Sequence, residues 1–306
     1  MDTGSFILQQ LINAIFLGSI FSLIALGYTM VYGIIELINF AHGELFTAGA
    51  FIGLIVLAAL QKYGFVESHF WIAMIIVFGL AMAYVAVLGT AIEQVAYRPL
   101  RNASRLAALL SALGMSIFLS NGMMLSQGVS DRAYPPVLSI EGISIWDARI
   151  TYGQIFIILL SVALMVALYM FVNSTRLGKA MRATAQNRTM AKMLGINIDR
   201  TIRVTFMIGP ALGAAAGVMV GLYYGSVRFD MGFIYMIKAF AAAILGGIGS
   251  IPGAMLGGMI IGGVEVLWSA FLPSEWKDVT TFVVMITVLY LKPSGLLGQQ
   301  VAETRV

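Results

Sequence analysis

The residues best placed to do chemistry lie in one short stretch, Glu36-Leu-Ile-Asn39-Phe-Ala-His42-Gly43-Glu44, set inside apolar sequence. Two acids, an amide and an imidazole at membrane depth are costly, and such groups usually face a cavity or a partner. A metal site needs ligands that converge. His42 and Glu44 are two apart, about 200° around a helix, and His69, the only other histidine, falls in a predicted outer loop. No converging set for acid–base catalysis accompanies them, so neither a catalytic nor a metal-binding residue is assigned. Two readings stay open. Asn39 and His42, at i and i+3, bond to a neighbouring helix or satisfy a broken backbone near Gly43. Alternatively, Asn39, His42 and Glu44 line a translocation path or its gate. Glu265, in Gly-Gly-Val-Glu-Val-Leu-Trp, is a second deep acid, expected to pair with another span or to line the same cavity. Lys238 and Glu93 fall near predicted span ends, where long side chains reach the interface.

These residues need elements to hold them, and composition says what kind. The chain is 60% hydrophobic and 10% charged, with a mean hydropathy of +0.93. Soluble domains carry about 25% charge, so the 306 residues have too little polar surface for a soluble protein. Stretches long enough to cross a bilayer, about 20 apolar residues each, fill most of the sequence. The predicted spans are 6–31, 36–60, 70–97, 105–127, 153–173, 204–225, 237–250, 252–272 and 277–292. The pieces at 237–250 and 277–292 are short for a crossing, and one of them is a candidate for re-entry. The expectation is an all-α, polytopic membrane bundle of eight or nine helices forming one domain over residues 1–306. Phe6 to Val31 is too long for a signal-peptide core and has no basic residue before it, so it reads as a retained span. With no cysteine in the chain, disulfides, thiol catalysis and Cys-ligated metals are excluded.

Charge is concentrated. Arg176 to Arg203 holds seven basic residues and one acid, Asp199, a net +6 against +4 for the whole chain. With Arg98, Arg101 and Arg105 in another connection, this excess marks the cytoplasmic side. Basic charge here is a topology signal, not a sign of nucleic acid. The slightly acidic 128–152 connection, with Tyr134-Pro-Pro, then lies on the far face as an ordered loop. Counting back puts the N-terminus outside. Lys292 and Arg305 put the C-terminus inside, which favours an odd number of crossings. Within the island, Gly178–Ala185 and Thr189–Leu194 read as short helices, Asn187 capping the second and Gly195 ending it. Met190, Met193 and Leu194 share one apolar face. A small apolar face ringed by bases suits either anionic headgroups or a groove on a soluble protein. Gly209, Gly213, Gly217, Gly221 and Gly225 recur every four residues, a smooth stripe for close helix packing; Gly249, Gly253 and Gly257, and Gly258 and Gly262, repeat the spacing.

Specific segments go further. Arg182-Ala-Thr-Ala-Gln-Asn-Arg-Thr-Met-Ala-Lys-Met-Leu-Gly-Ile-Asn197, before a glycine-striped span, resembles the cytoplasmic coupling loop of ABC-importer permeases, an EAA-like pattern ending in Gly-x-Asn. Residues 26–44, 96–101, 111–119 and 238–258 are similar to the branched-chain amino-acid importer permeases, LivH type. The resemblance covers nearly the whole chain. It implies a pore shared with a LivM-type permease, two cytoplasmic ATPases and an external binding protein that delivers leucine, isoleucine or valine. It implies a bacterial inner-membrane location. Ala183, Ala185, Gly195 and Asn197 match the coupling loop, about 174–203, to which Gly178 and Arg182 also belong. Asn39, His42, Gly43 and Glu44 match the family's signature span. Asn187 stands where relatives often carry an acid, and Glu36 where they often carry Gly. The chain has no G-x-x-x-x-G-K-[ST] phosphate loop, so ATP is expected to be used by other polypeptides and no cofactor is assigned to this one. Alternatives are import of urea or short amides by a near relative, a passive channel and an intramembrane enzyme.

Overall fold

A computed structural model describes residues 3–101, 103–138 and 141–298. Arg305, used above for topology, lies outside them. The chain forms α1 (Thr3–Ile35), α2 (Ala41–Lys62), α3 (Phe65–Ser68), α4 (Phe70–Ile92), α5 (Arg105–Gln127), α6 (Tyr152–Ser174), α7 (Arg176–Gln186), α8 (Arg188–Met193), α9 (Ile198–Tyr224), α10 (Met231–Gly246), α11 (Ile251–Phe271) and α12 (Lys277–Leu291). Polar residues in the connections start the helices: Ser104, Thr151, Asn197 and Ser250 each accept a backbone N–H in the first turn of α5, α6, α9 and α11. Such caps satisfy donors that have no intrahelical partner.

Among the described residues, seven helices are long and apolar enough to cross a membrane. α10 and α12 have 16 and 15 residues, about 24 Å or less of rise against a hydrocarbon core of about 30 Å. The eight or nine crossings read from the sequence therefore resolve into seven long helices and two short ones.

The bundle has two distinct ends. At one, β2 (Gly142–Ile145) and β3 (Ala148–Thr151) form a hairpin whose turn residues Trp146 and Asp147 both have positive φ, 47° and 65°, the geometry of a two-residue hairpin turn. Beside it β1 (Arg132–Ala133) pairs with β4 (Ser226–Val227). These short strands are the exception to an all-α chain and lie in connections. Gln9 of α1 brackets Arg149 with two hydrogen bonds, of 2.7 and 3.1 Å, so the start of α1 lies at this hairpin end. At the other end the basic α7–α8 segment meets the C-terminus of α1. Leu296 and Leu297 pair with the carbonyls of Leu245 and Gly246 beside the α10–α11 turn, which also faces Gly33. The described chain thus enters at the hairpin end and leaves at the loop end.

α1 is the most enclosed helix, packed against α9, α10 and α11. The glycine stripe explains how. A Cβ at Gly209 would sit 2.6 Å from the Gly27 carbonyl oxygen, and one at Gly217 2.2 Å from that of Phe46. Gly221 lies under the Tyr134 ring and Gly213 against the His42 ring. The stripe on α9 is therefore shared among α1, α2 and the hairpin-end loop. Tyr134 is buried, and its hydroxyl donates to the Ala50 carbonyl at 3.1 Å; burial pushes its phenol pKa up, so it stays neutral. α5 is the least enclosed of the seven, with Leu106, Leu110, Phe118 and Leu125 exposed.

Candidate functional site

The span expected at 36–60 starts five residues late. α1 ends at Ile35, Glu36 adopts a left-handed φ of 54°, and α2 begins at Ala41. The five residues between them form a break, with Asn39 inside it and His42 and Glu44 in the first turn of α2. Tyr28, Thr29, Asn39, His42 and Glu44 are each at most 2% exposed. The Tyr97 hydroxyl donates to Asn39 Oδ1 at 2.7 Å, and Ser116 donates to Glu44 Oε1 at 3.3 Å. The Tyr28 and His42 rings meet edge to face at 5.9 Å.

Much of this polar surface has no partner among the described residues. Tyr28 Oη, Thr29 Oγ1, Asn39 Nδ2, both His42 ring nitrogens and Glu44 Oε2 are buried without a hydrogen bond. The Tyr28 hydroxyl approaches the Asn39 backbone and the His42 ring approaches the Ile24 carbonyl, neither with hydrogen-bond geometry. A buried unmade bond costs about 1–3 kcal/mol, so a concentration of them is not explained by architecture. Of the two readings left open by the sequence, cross-helix bonding accounts for Asn39 but leaves His42 unexplained. Tyr28, Thr29, Tyr97 and Ser116 were not singled out from the sequence, because aromatic and hydroxyl residues are unremarkable in an apolar helix; only Tyr97, beside Arg98-Pro99, carried a local signal.

Between the break and the loop end lies a cavity of about 250 Å³, lined by Glu36, Leu37, Arg101, Ser104 and Arg188 among others. A smaller recess adjoining it reaches Tyr97 and Phe206. Its wall is held by charge. Arg101 pairs with both Glu93 and Asp199, and Arg98 lies 3.5 Å from Asp199. Glu93 is not at the interface, as its place in the sequence implied, but buried. α4 ends in a wide π-type turn, Glu93–Tyr97, that lets Arg101 reach back to it.

Glu265 serves elsewhere. Lys238 Nζ lies 2.8 Å from a carboxylate oxygen of Glu265 and 2.8 Å from one of Asp278, while Lys277 lies 3.4 Å from Glu265. Lys238 also stands over the Phe21 ring, 5.5 Å from its centroid. The expectation that Lys238 reaches the interface is thus corrected. α10 starts below the hairpin end, with Gly232 against Gly43 and Thr47, so its midpoint is interior and the lysine is buried with acids from α11 and α12. Glu265 spends its charge in this group rather than beside Asn39 and His42.

The basic loop folds as two helices. Asn187 Oδ1 accepts from Met190 N at 3.0 Å and Gly195 has φ of 80°, so the Asn cap and Gly stop are both present. Gly178 lets α7 approach the end of α6, where an added Cβ would lie 2.2 Å from the Val172 carbonyl oxygen, and Arg182 donates to that same carbonyl at 2.9 Å. Asn197 caps α9 through Arg200 N at 2.9 Å. Ala183 is partly covered and Ala185 exposed. Met190, Met193 and Leu194 are 60, 77 and 79% exposed, an apolar face that nothing in the chain covers among the described residues.

Comparison with known proteins places this architecture. The family described as "Branched-chain amino acid transport system / permease component" matches residues 10–289. The chain is 46% identical over 302 residues to "High-affinity branched-chain amino acid transport system permease protein LivH" of Salmonella typhimurium (strain LT2), covering 97% of each. It has the same identity and coverage with the LivH protein of Escherichia coli (strain K12). Identity to the BraD permease of Pseudomonas aeruginosa is 44%, again over 97% of each chain. A multi-pass helical bundle agrees with these matches, and this chain belongs to the family of permease components of branched-chain amino acid transport systems.

Proposed function

We propose that the chain forms half of the pore of an ABC importer that carries leucine, isoleucine and valine across a bacterial inner membrane. The sequence similarity over 97% of the chain supports the cargo. The loop end is cytoplasmic and the hairpin end external, so the N-terminus is outside and the C-terminus inside. Two cytoplasmic ATPase subunits power the importer, with α7–α8 as this chain's docking element, a LivM-type permease completes the pore, and an external binding protein delivers cargo at the hairpin end. Residues 1–306 act as one permease domain. It holds no cofactor of its own; ATP is bound and hydrolysed by the partner subunits.

The observation that carries the docking role is the bare Met190–Met193–Leu194 face, with the exposed Lys192 on the same short helix. An apolar patch this exposed on the polar side of a membrane protein marks a contact surface. Asn39, His42 and Glu44 line the path. Their unpartnered polar atoms would hydrogen-bond water and the charged ends of an amino acid in passage, and would hold it only weakly, so selectivity rests with the binding protein. Reconstitution with the partner subunits tests this. ATP-dependent uptake of labelled leucine, competed by isoleucine and valine, is expected. Competition by urea or short amides with no leucine uptake would overturn the cargo, and uptake without ATPase subunits would make the chain a passive channel.

A further inference from the structure

We infer that Arg188 is the tie through which the docking loop moves the α1–α2 break. The inference rests on the docking role proposed above. Arg188 is the first residue of α8, set in place by the Asn187 cap. Although exposed like its neighbours, it reaches the C-terminus of α1 and donates from Nη2 to the Ile34 carbonyl oxygen at 2.6 Å. The last carbonyls of a helix lack intrahelical partners and carry the negative end of the helix dipole, so a guanidinium there makes a charge-assisted bond.

What lies immediately beyond Ile34 gives the bond its consequence. Ile35 ends the helix, Glu36 is left-handed, and three residues later Asn39 holds Tyr97. A displacement of α8 is therefore delivered to the break, which carries the unpartnered Asn39 amide nitrogen and leads directly into His42 and Glu44 in the first turn of α2. The cavity lined by Glu36, Leu37, Arg101, Ser104 and Arg188 gives that stretch space to move into. Its opposite wall is fixed separately, by Arg101 with Glu93 and Asp199. The loop's other anchor, Arg182, bonds only the end of α6, through Val172 and Asn173, and so holds the loop without touching the break. Arg188 is a positioning residue: it acts through Ile34 and need not meet the cargo.

The test uses the reconstituted complex of this chain with its partner subunits. Arg188→Leu should still co-purify with the ATPases and hydrolyse ATP, while cargo moved per ATP falls about tenfold, within the usual range of coupling between sites. Arg188→Lys, which keeps a cationic donor, should recover much of it. The chain has no cysteine, so Leu37→Cys gives a single reporter beside the break. Its labelling rate with an impermeant maleimide should change on adding ATP when Arg188 is present and stay constant in Arg188→Leu. An unchanged ratio of uptake to hydrolysis, or an unchanged labelling response, overturns the tie. Loss of co-purification also overturns it, by making Arg188 a docking contact. Failure of the docking reading itself shows differently: Met190→Ser with Met193→Ser would then leave ATPase association intact.

Discussion

Two groups of polar residues are buried in this bundle and they are resolved in opposite ways. Around Lys238, four charges from α10, α11 and α12 alternate in sign and find each other within 2.8 to 3.4 Å. Around His42, five uncharged or singly charged side chains lie together, and six of their polar atoms have no hydrogen-bond partner among the described residues. In the first arrangement every charge meets an opposite charge from within the chain, and it fastens two helices too short to anchor themselves. The second is incomplete in the protein alone, which is the property a path for a polar solute needs. Each has a buried centre, Lys238 with Glu265 in one and His42 in the other, although Lys277 and Asp278 are partly exposed; the main difference is whether partners are supplied from within.

Removing a partner from the complete group should have the largest effect on stability. Lys238→Met leaves Glu265 and Asp278 with one cation at the edge of the site, and breaking a buried pair costs about 3–5 kcal/mol. A melting temperature in detergent equal to that of the parent would show that the network is not structural. The double exchange Lys238→Glu with Glu265→Lys should restore part of the loss. Next comes the packing that brings both groups to depth. Gly217→Ala puts a methyl against the Phe46 carbonyl, and overpacking of this kind costs about 1–3 kcal/mol; unfolding in denaturant would register it.

Tyr97→Phe leaves the buried Asn39 Oδ1 without its donor and should cost about 1–3 kcal/mol, with a larger fractional loss of uptake than of stability. The smallest stability change is expected at His42. His42→Leu deletes two unpartnered nitrogens, and replacing unmade bonds with apolar volume is near neutral. Uptake should nonetheless fall by about an order of magnitude, since a transition-state loss near 1.4 kcal/mol suffices. A variant that loses stability and keeps uptake would reverse the comparison and make His42 architectural.

Much of the loop was legible because its signals are local. Asn187, Gly195 and Asn197 act on backbone groups two or three residues away, so spacing alone located two helices, a cap and a stop. The long spans were legible for a similar reason, since length and apolar content need no neighbour. The break at Glu36–Phe40 was half legible. Its polar residues stood out, but no proline or glycine lies among those five residues, and the left-handed φ falls on Glu36 rather than on a residue that favours it. Lys238 and Glu93 were misplaced because depth was judged from distance to a span end. That measure fails when α10 starts inside the bundle and when α4 ends in a wide turn.

The chain by itself determined that it crosses a membrane many times, where its charge is concentrated, and that it has neither thiol chemistry nor an ATP phosphate loop. Each follows from composition or short-range spacing, and no fold can alter it. Tertiary structure alone decided which buried charges are paired, which polar atoms are left over, and that Arg188 ends on the carbonyl of Ile34, 154 residues away. Those are questions of which helices meet at which height. Helix packing, through the close approaches that Gly209, Gly217 and Gly232 permit, sets that height, and no window of sequence contains it.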